Sequence, residues 1–246
     1  MAGKVIRVGV IKPSHGSSSL QDLKSLLPGD IELVSDYMGF THYSEDEFDK
    51  AMVLYGEKVA GLAAKGVDLI HPEGAPPFML KGRAAETLLV ADWQKKCGVP
   101  VFTTGTTQVA AMRALGIKRF VGYTPFDIDS KLAEAFRRYF VDAGFEPIGM
   151  GNPVGSMEEL YKLSGDQIVD RLVSDFRKIS PKPEAVYILG SGWRALDAIE
   201  KMEAALGVPV LHPVVVRCWY ILQTLGRANL IKGKGRLLAT MPPIPA

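Results

Sequence analysis

The chain has 246 residues, of which 47% are apolar and 23% are charged, as is typical of a soluble globular protein with one large domain or two small ones. A formal charge of +2, with one short basic run at 232–236, argues against a nucleic-acid partner. Two cysteines exclude a disulfide framework, and the lack of a signal peptide or a membrane-spanning stretch predicts a cytoplasmic protein with no membrane partner.

The first part of the chain alternates predicted strands with predicted helices. Apolar runs predict strands at 5–11, 31–35, 67–71 and 99–103. Apolar positions at helical spacing predict helices at about 20–27, 44–65, 83–96 and 104–115. Right-handed parallel crossovers place all strand-to-helix loops at one edge of a sheet, so we expect loops 12–19 and 72–77 to lie at the same edge.

The stretch 185–211 contains a buried strand, the turn Gly190-Ser191-Gly192, a helix and a further strand. Glycines on both sides of Ser191 let backbone N–H groups approach a ligand, and a helix beginning directly afterwards would aim its positive end at the same point. The turn is therefore a candidate site for a carboxylate or a phosphate. An ordinary connecting turn is the alternative interpretation.

An internal repeat at a spacing of roughly 110 residues is visible along the chain. Gly98-Val-Pro-Val101 is echoed by Gly207-Val-Pro-Val210, and Val8-Gly9 is echoed by Val121-Gly122. The repeat predicts two similar α/β halves whose loop edges face one another across a ligand cleft. We place the halves at 1–116 and 117–226, with an extension at 227–246, and the last segment of the first half is a candidate for exchange between the halves.

Three histidines and one glutamate fall at or just beyond the carboxyl ends of predicted strands: His15, His71, Glu73 and His212. That edge of a parallel sheet is where ligands bind, so the set could supply a general acid and base, or in principle metal ligands. The alternative is that each histidine is satisfied by backbone groups, with His71 packed under the turn and Glu73 in solvent. No spacing typical of metal-binding histidines is present, so we predict no metal site.

Several segments resemble the aspartate/glutamate racemase superfamily, in particular its arylmalonate decarboxylase and maleate cis-trans isomerase branch. They are TTGTTQVAAMRALG at 103–116, Tyr123-Thr-Pro-Phe126-Asp, and LGSGWRALDAIEKMEAALGVPV at 189–210. The resemblance implies an α/β fold of two flavodoxin-like parallel-sheet halves related by a pseudo-two-fold axis. It also implies a small acid bound between the halves and no cofactor.

The resemblance also shows what this chain lacks. The family's paired catalytic cysteines correspond to Gly74 and Gly190, and its carboxylate-binding hydroxyl groups correspond to Ala75, Pro76 and Phe126. Losing several oxyanion donors, each worth about 3 kcal/mol, together with the thiols should abolish the family's standard chemistry. Acid–base chemistry without cysteine is therefore expected.

The sequence thus predicts a cofactor-independent enzyme, decarboxylase-like or isomerase-like, acting on a small carboxylic acid or a related ring or amide. Its partner is that small molecule, and a homo-oligomer is compatible with the sequence. The alternatives are a metal-assisted hydrolase that uses the His/Glu set and a non-catalytic binding paralogue. The predicted acid–base residues are Glu73, His71 and His15. The predicted substrate-binding residues are Ser14, Gly74, Ala75, Thr104, Tyr123, Phe126, Gly190, Ser191, Gly192 and His212.

Overall fold

Two parallel β-sheets organise the protein in a computed structural model that describes residues 5–15, 18–41 and 45–245. The first sheet has the order β2-β1-β3 and consists of β1 (Ile6–Lys12), β2 (Ile31–Tyr37) and β3 (Leu69–Pro72). The second has the order β5-β4-β6-β7 and consists of β4 (Arg119–Tyr123), β5 (Glu146–Gly151), β6 (Ala185–Ile188) and β7 (Val210–Leu211). Every pairing is parallel, which confirms the predicted α/β class.

Helices connect the strands and extend beyond the last one. They are α1 (Ser19–Leu26), α2 (Glu45–Ala64), α3 (Ala75–Lys81), α4 (Arg83–Cys97), α5 (Thr104–Ala114), α6 (Lys131–Asp142), α7 (Met157–Lys162), α8 (Gly165–Phe176), α9 (Ile199–Leu206), α10 (Pro213–Thr224) and α11 (Arg236–Thr240). A 3₁₀ turn at Leu196–Ala198 precedes α9.

The chain divides into two compact units. The first comprises Met1–Ser17 and Leu27–Thr106, and the second comprises Ser18–Leu26 and Thr107–Ala246. Helix α1 therefore belongs to the second unit, where it packs on α10. The Cys218 thiol of α10 donates to the carbonyl oxygen of Leu26 at 3.9 Å.

The core of the first unit lies between its sheet and α2. The predicted apolar face of α2 is confirmed, since Phe48, Tyr55, Val59 and Leu62 are buried at helical spacing and pack in one cluster. Burying such a face, at about 25 cal/mol per Å² of apolar surface, is what holds the helix on the sheet. Ser44, where the predicted helix begins, lies outside the described residues.

Aromatic rings fill the core of the second unit. Phe120 of β4 packs against Phe140 of α6 with ring centroids 4.9 Å apart, and Tyr187 of β6 lies 5.3 Å from Phe140. Edge-to-face packing of this kind adds about 0.5–1.5 kcal/mol per pair beyond the buried area. These contacts hold α6 against the sheet.

Two local predictions were wrong. Residues 72–77 were expected to form a loop, but α3 begins at Ala75, because prolines at 76 and 77 fit a first helical turn in which N–H groups have no partner. The expected strand 99–103 is reduced to a single bridge between Ile70 and Val101.

The turn at 190–192 also differs from the prediction. Helix α9 begins only at Ile199, after the 3₁₀ turn, so no α-helix starts beside Ser191. The reason is Trp193, whose buried ring turns back so that Nε1 donates to the carbonyl oxygen of Leu189 at 3.1 Å. The predicted alignment of a helix N-terminus with this turn is therefore wrong.

Candidate active site

A buried pair of opposite charges lies at the carboxyl edge of the first sheet. Lys12 is the last residue of β1 and Glu73 follows β3 directly. The two strands are neighbours in register, with Ile11 opposite Pro72, and the Glu73 N–H donates to the Ile11 carbonyl oxygen at 2.8 Å. Lys12 Nζ lies 3.7 Å from Glu73 Oε2. Strand register therefore brings together two residues that are far apart in the chain.

Both members of this pair are almost inaccessible to water. Lys12 is 2% exposed and Glu73 is 3% exposed. Removing two ionised groups from water costs several kcal/mol each, and their attraction repays this only when geometry and hydrogen bonding are good. A separation of 3.7 Å is longer than a direct hydrogen bond. The pair is therefore expected to contribute little to the stability of the fold, and it is a strong candidate for a functional role.

Glycine is required at position 74, immediately after the pair. Gly74 has φ +114°, and a Cβ atom there would lie 2.8 Å from Tyr55 Oη and 3.1 Å from Pro13 Cγ. The Tyr55 hydroxyl donates to the Glu73 carbonyl oxygen, which fixes the tyrosine in this position. The Gly74 N–H donates to Thr104 Oγ1 at 3.4 Å. The close approach leaves no space for a side chain at position 74.

His71 is fully buried, with its ring held from two sides. Its Nδ1 lies 2.9 Å from the carbonyl oxygen of Phe102, and because a carbonyl only accepts, Nδ1 carries the proton. The ring also stacks on the Phe102 ring, with centroids 4.9 Å apart. The backbone contact predicted as the alternative for His71 is present, whereas the accompanying prediction that Glu73 points to solvent is wrong because Glu73 is buried.

A second buried carboxylate, Glu86 of α4, was missed by the sequence analysis. The Thr103 hydroxyl is hydrogen-bonded to Glu86 Oε1, and Thr103 Oγ1 also accepts from the Thr106 N–H at 3.1 Å. This contact fixes the start of α5, where Thr104 lies. The sequence offers only a weak signal for it, namely a glutamate on the inner face of a predicted helix.

Lys12 was also missed, although a usable signal existed. A charged residue directly after a predicted buried strand lies at the same edge as the residues that follow neighbouring strands. The same argument identified Glu73.

Ser14 and His15 lie in the loop that follows β1. His15 is exposed, and its ring stacks on that of Tyr37 at the end of β2, with centroids 3.7 Å apart; Ser14 is half-buried.

Four of the predicted binding residues of the second unit, Gly190, Ser191, Gly192 and His212, lie at the turn after β6 and at the start of α10. Gly190 has φ +100°, and the nearest atom to a Cβ there would be Trp193 Nε1 at 4.0 Å. Ser191 and Gly192 are half-buried. In contrast to Gly74, Gly190 has room for a small side chain.

His212 is buried as the N-cap of α10. Its Nδ1 accepts from the Val214 N–H at 3.3 Å, and its Nε2 donates to the Trp193 carbonyl oxygen at 3.2 Å. Burial lowers the pKa of His212 to about 4, because the charged ring would lose its hydration. A neutral, doubly hydrogen-bonded ring is a structural cap, so these contacts favour the backbone-satisfied alternative for this histidine.

Tyr123 and Phe126 occupy the end of β4 and the loop after it. Tyr123 is fully buried, and its phenol pKa is raised first by burial and then by the nearby carboxylate of Asp175. The phenol is therefore neutral. Phe126 is half-buried, and its carbonyl oxygen accepts from Asn152 Nδ2 at 3.1 Å.

Both cysteine thiols have pKa values above the ordinary value. Burial raises the pKa of Cys97, at the end of α4, and raises the pKa of Cys218 to about 12.

Among the residues that the structure describes, no group of three or more His, Cys, Asp or Glu side chains could hold a metal ion. Within the same residues, none of the helices is long and apolar enough to cross a membrane.

Comparison with known proteins gives consistent matches over almost the whole chain. A family model described as arylmalonate decarboxylase matches residues 8–238. Arylmalonate decarboxylase from Bordetella bronchiseptica is 24% identical over 234 residues, which are 94% of this chain and 95% of that protein.

Solved structures show the same fold. A variant of maleate isomerase Iso from Pseudomonas putida S16, with maleate, superposes with a TM-score of 0.85 at 20% identity, covering 96% of this chain and 98% of that one. Maleate cis-trans isomerase from Nocardia farcinica, bound to TRIS, gives a TM-score of 0.84 at 21% identity with the same coverage of 96% and 98%.

Proposed function

The chain belongs to the arylmalonate decarboxylase family, and we propose that it is a cofactor-independent decarboxylase or isomerase whose acid–base group is Glu73 rather than a thiol. Its substrate is a small carboxylic acid or a related ring or amide. The relatives named above act on arylmalonates and maleate, which supports a small acid as the substrate class. The cytoplasm is the proposed location.

The observation that carries the proposal is the buried pair of Lys12 and Glu73. A carboxyl group can give a proton to a substrate or take one from it, and an ammonium group 3.7 Å away stabilises the carboxylate form. Decarboxylation and isomerisation both need a proton at the carbon next to a carboxyl group. Glu73 supplies or removes that proton, and the positive charge of Lys12 stabilises negative charge that develops beside it.

The chemistry of the two thiols supports a mechanism without cysteine. The chain has two cysteines, and burial keeps the pKa of each above its ordinary value, so the reactive thiolate is scarce at neutral pH. Cys218 is turned towards the backbone of α1. Position 74 is sterically restricted to glycine, so a thiol there would need the surrounding residues to move.

The experiment measures proton transfer directly. The purified protein is incubated in D₂O with a panel of small mono- and dicarboxylic acids, and NMR follows deuterium uptake at the carbon next to the carboxyl group together with release of CO₂. Glu73→Gln nearly preserves size and removes the titrating group, so turnover should fall by roughly 10² to 10⁴.

Glu86→Gln is the matched control, because Glu86 is a buried glutamate of the same unit and glutamine keeps an oxygen acceptor for Thr103. It should leave turnover within a few fold. Unchanged turnover in Glu73→Gln, with activity present in the unmodified protein, would contradict the proposed role of Glu73.

A further inference from the structure

In the proposed function, Lys12 contributes only its positive charge. Its amine can also act as a nucleophile. Lysine amines react with carbonyl carbons when they are unprotonated, and burial away from water favours the unprotonated form. Lys12 is 2% exposed, and Glu73 Oε2, 3.7 Å away, can take up its proton. The pair can therefore exist as ammonium with carboxylate or as amine with carboxylic acid.

The segment that follows Glu73 is poor in groups that stabilise an oxyanion. Residues 74–77 are Gly-Ala-Pro-Pro, so they carry no hydroxyl or amide side chain, and both prolines lack an N–H. The Gly74 N–H is directed at Thr104 Oγ1. Chemistry beside Lys12 is easier if the electron pair released from carbon moves onto nitrogen rather than onto an oxygen that needs donors.

We propose that Lys12 is a covalent catalytic residue that forms an imine with a small 3-oxo acid. This inference rests on the proposed function and names its substrate class. The carbonyl two bonds from the carboxylate is what the amine recognises, and the carboxylate is the group that departs.

Imine formation begins with a proton transfer within the buried pair. Lys12 gives a proton to Glu73, and the neutral amine attacks the carbonyl carbon to form a C–N bond. The carbonyl oxygen leaves as water with one proton from Glu73 and one from the amine, which produces a protonated imine. The C–C bond to the carboxylate then breaks, CO₂ departs, and the electron pair moves through the new C=C bond to neutralise the nitrogen.

Glu73, protonated again from water, next donates to the carbon that lost CO₂ and regenerates the protonated imine. Water adds to the imine, the C–N bond breaks, and a ketone is released with Lys12 as ammonium and Glu73 as carboxylate. The net change consumes one proton from solvent and releases one CO₂.

Acetoacetate with sodium cyanoborohydride tests this step on the unmodified protein. Reduction turns an imine into a stable alkylated lysine, and peptide mass spectrometry locates it. We expect the adduct on the peptide that contains Lys12. Absence of an adduct there, or equal labelling of the exposed lysines, would overturn the proposal.

Matched variants sharpen the result. Lys12→Arg keeps the positive charge but cannot form an imine, so it should lose the adduct and the release of CO₂ from acetoacetate. Lys58→Arg is the control, because Lys58 is a partly buried lysine of the same unit paired with Asp36 at 2.9 Å, and it should keep both.

Failure of this inference differs from failure of the proposed function. If Lys12→Arg retains CO₂ release while Glu73→Gln loses it, the imine is wrong and the acid–base role of Glu73 stands. If Lys12 is labelled but turnover is indifferent to Glu73→Gln, the imine stands, and both the acid–base assignment and the proton transfers given to Glu73 in the imine steps are wrong. Trapping on the unmodified protein decides the matter even if Lys12→Arg fails to fold.

Discussion

The carboxyl edges of the two sheets are built from similar strands but carry different chemistry. At the edge of the first sheet, the last residue of β1 is a buried cation and the residue after β3 is a buried carboxylate. In the second unit, β6 is followed by Gly190-Ser191-Gly192, and β7 by His212, whose lowered pKa keeps it neutral. The comparison teaches that a shared strand topology positions residues but does not select their chemistry, which depends on the few side chains placed after each strand.

The two glycine turns differ in the same sense. Both Gly74 and Gly190 have φ values that favour glycine, but a side chain at 74 would collide with Tyr55, whereas a side chain at 190 would meet its first neighbour at 4.0 Å. Neighbouring side chains fill the space beside Gly74, whereas the space beside Gly190 can accept a small side chain.

The largest effect is expected on breaking the buried pair. Lys12→Met leaves the Glu73 carboxylate buried without its counter-charge, so the free energy of unfolding should fall by about 3–5 kcal/mol in urea denaturation. Adding Glu73→Leu should recover most of the loss. Lys162→Met, which removes the exposed pair with Glu158, should cost less than about 1 kcal/mol. A similar loss in both single variants would show that the burial of Lys12 has no energetic consequence.

The second prediction concerns the neutral cap of the second unit. His212 has a pKa of about 4 when folded and an ordinary value of 6.5 when unfolded, so the unfolded state binds the extra proton between these values. The stabilisation is present above pH 6.5 and is lost as the pH falls towards 4, with a total of about 3 kcal/mol. His212→Asn keeps a capping oxygen without a titrating group, so its stability should depend less on pH between 7 and 4. Equal pH dependence of the two proteins in urea denaturation contradicts this assignment.

The third prediction compares the glycines. Gly190→Ala should incur only the backbone strain of about 1–3 kcal/mol, whereas Gly74→Ala should incur similar strain and a collision with Tyr55 Oη. Thermal unfolding should therefore place Gly74→Ala below Gly190→Ala. Tyr55→Phe removes the colliding oxygen and should lessen the penalty of Gly74→Ala. No such rescue is expected for Gly190→Ala, and a rescue there would count against the steric explanation.

The smallest effect is expected for the thiols. Replacing Cys97 with serine and Cys218 with alanine should leave turnover within a few fold, because neither thiol lies at the proposed acid–base pair. Complete loss of activity in a variant that still unfolds cooperatively would show that catalysis depends on a cysteine thiol.

Much of the fold could be predicted from local patterns. Apolar runs and apolar positions at helical spacing identified β1, β2, α2, α4 and α5, because both signals are set by neighbours in the chain. The elements that were predicted wrongly depend on local features that a pattern of apolar residues does not indicate. Prolines 76 and 77 begin a helix rather than prevent one, and Trp193 folds back and delays α9.

The sequence by itself determined the α/β class and the family. It also placed Glu73 at the end of a strand, because the edge that carries the loops follows from the alternation of strands and helices and from crossover handedness. Only the tertiary structure decided that Glu73 is buried against Lys12, that Gly74 is closed by Tyr55, and that His212 is a neutral cap. Those outcomes depend on strand register and on burial by residues that are distant in the chain. No local pattern of residues predicts the register or the burial.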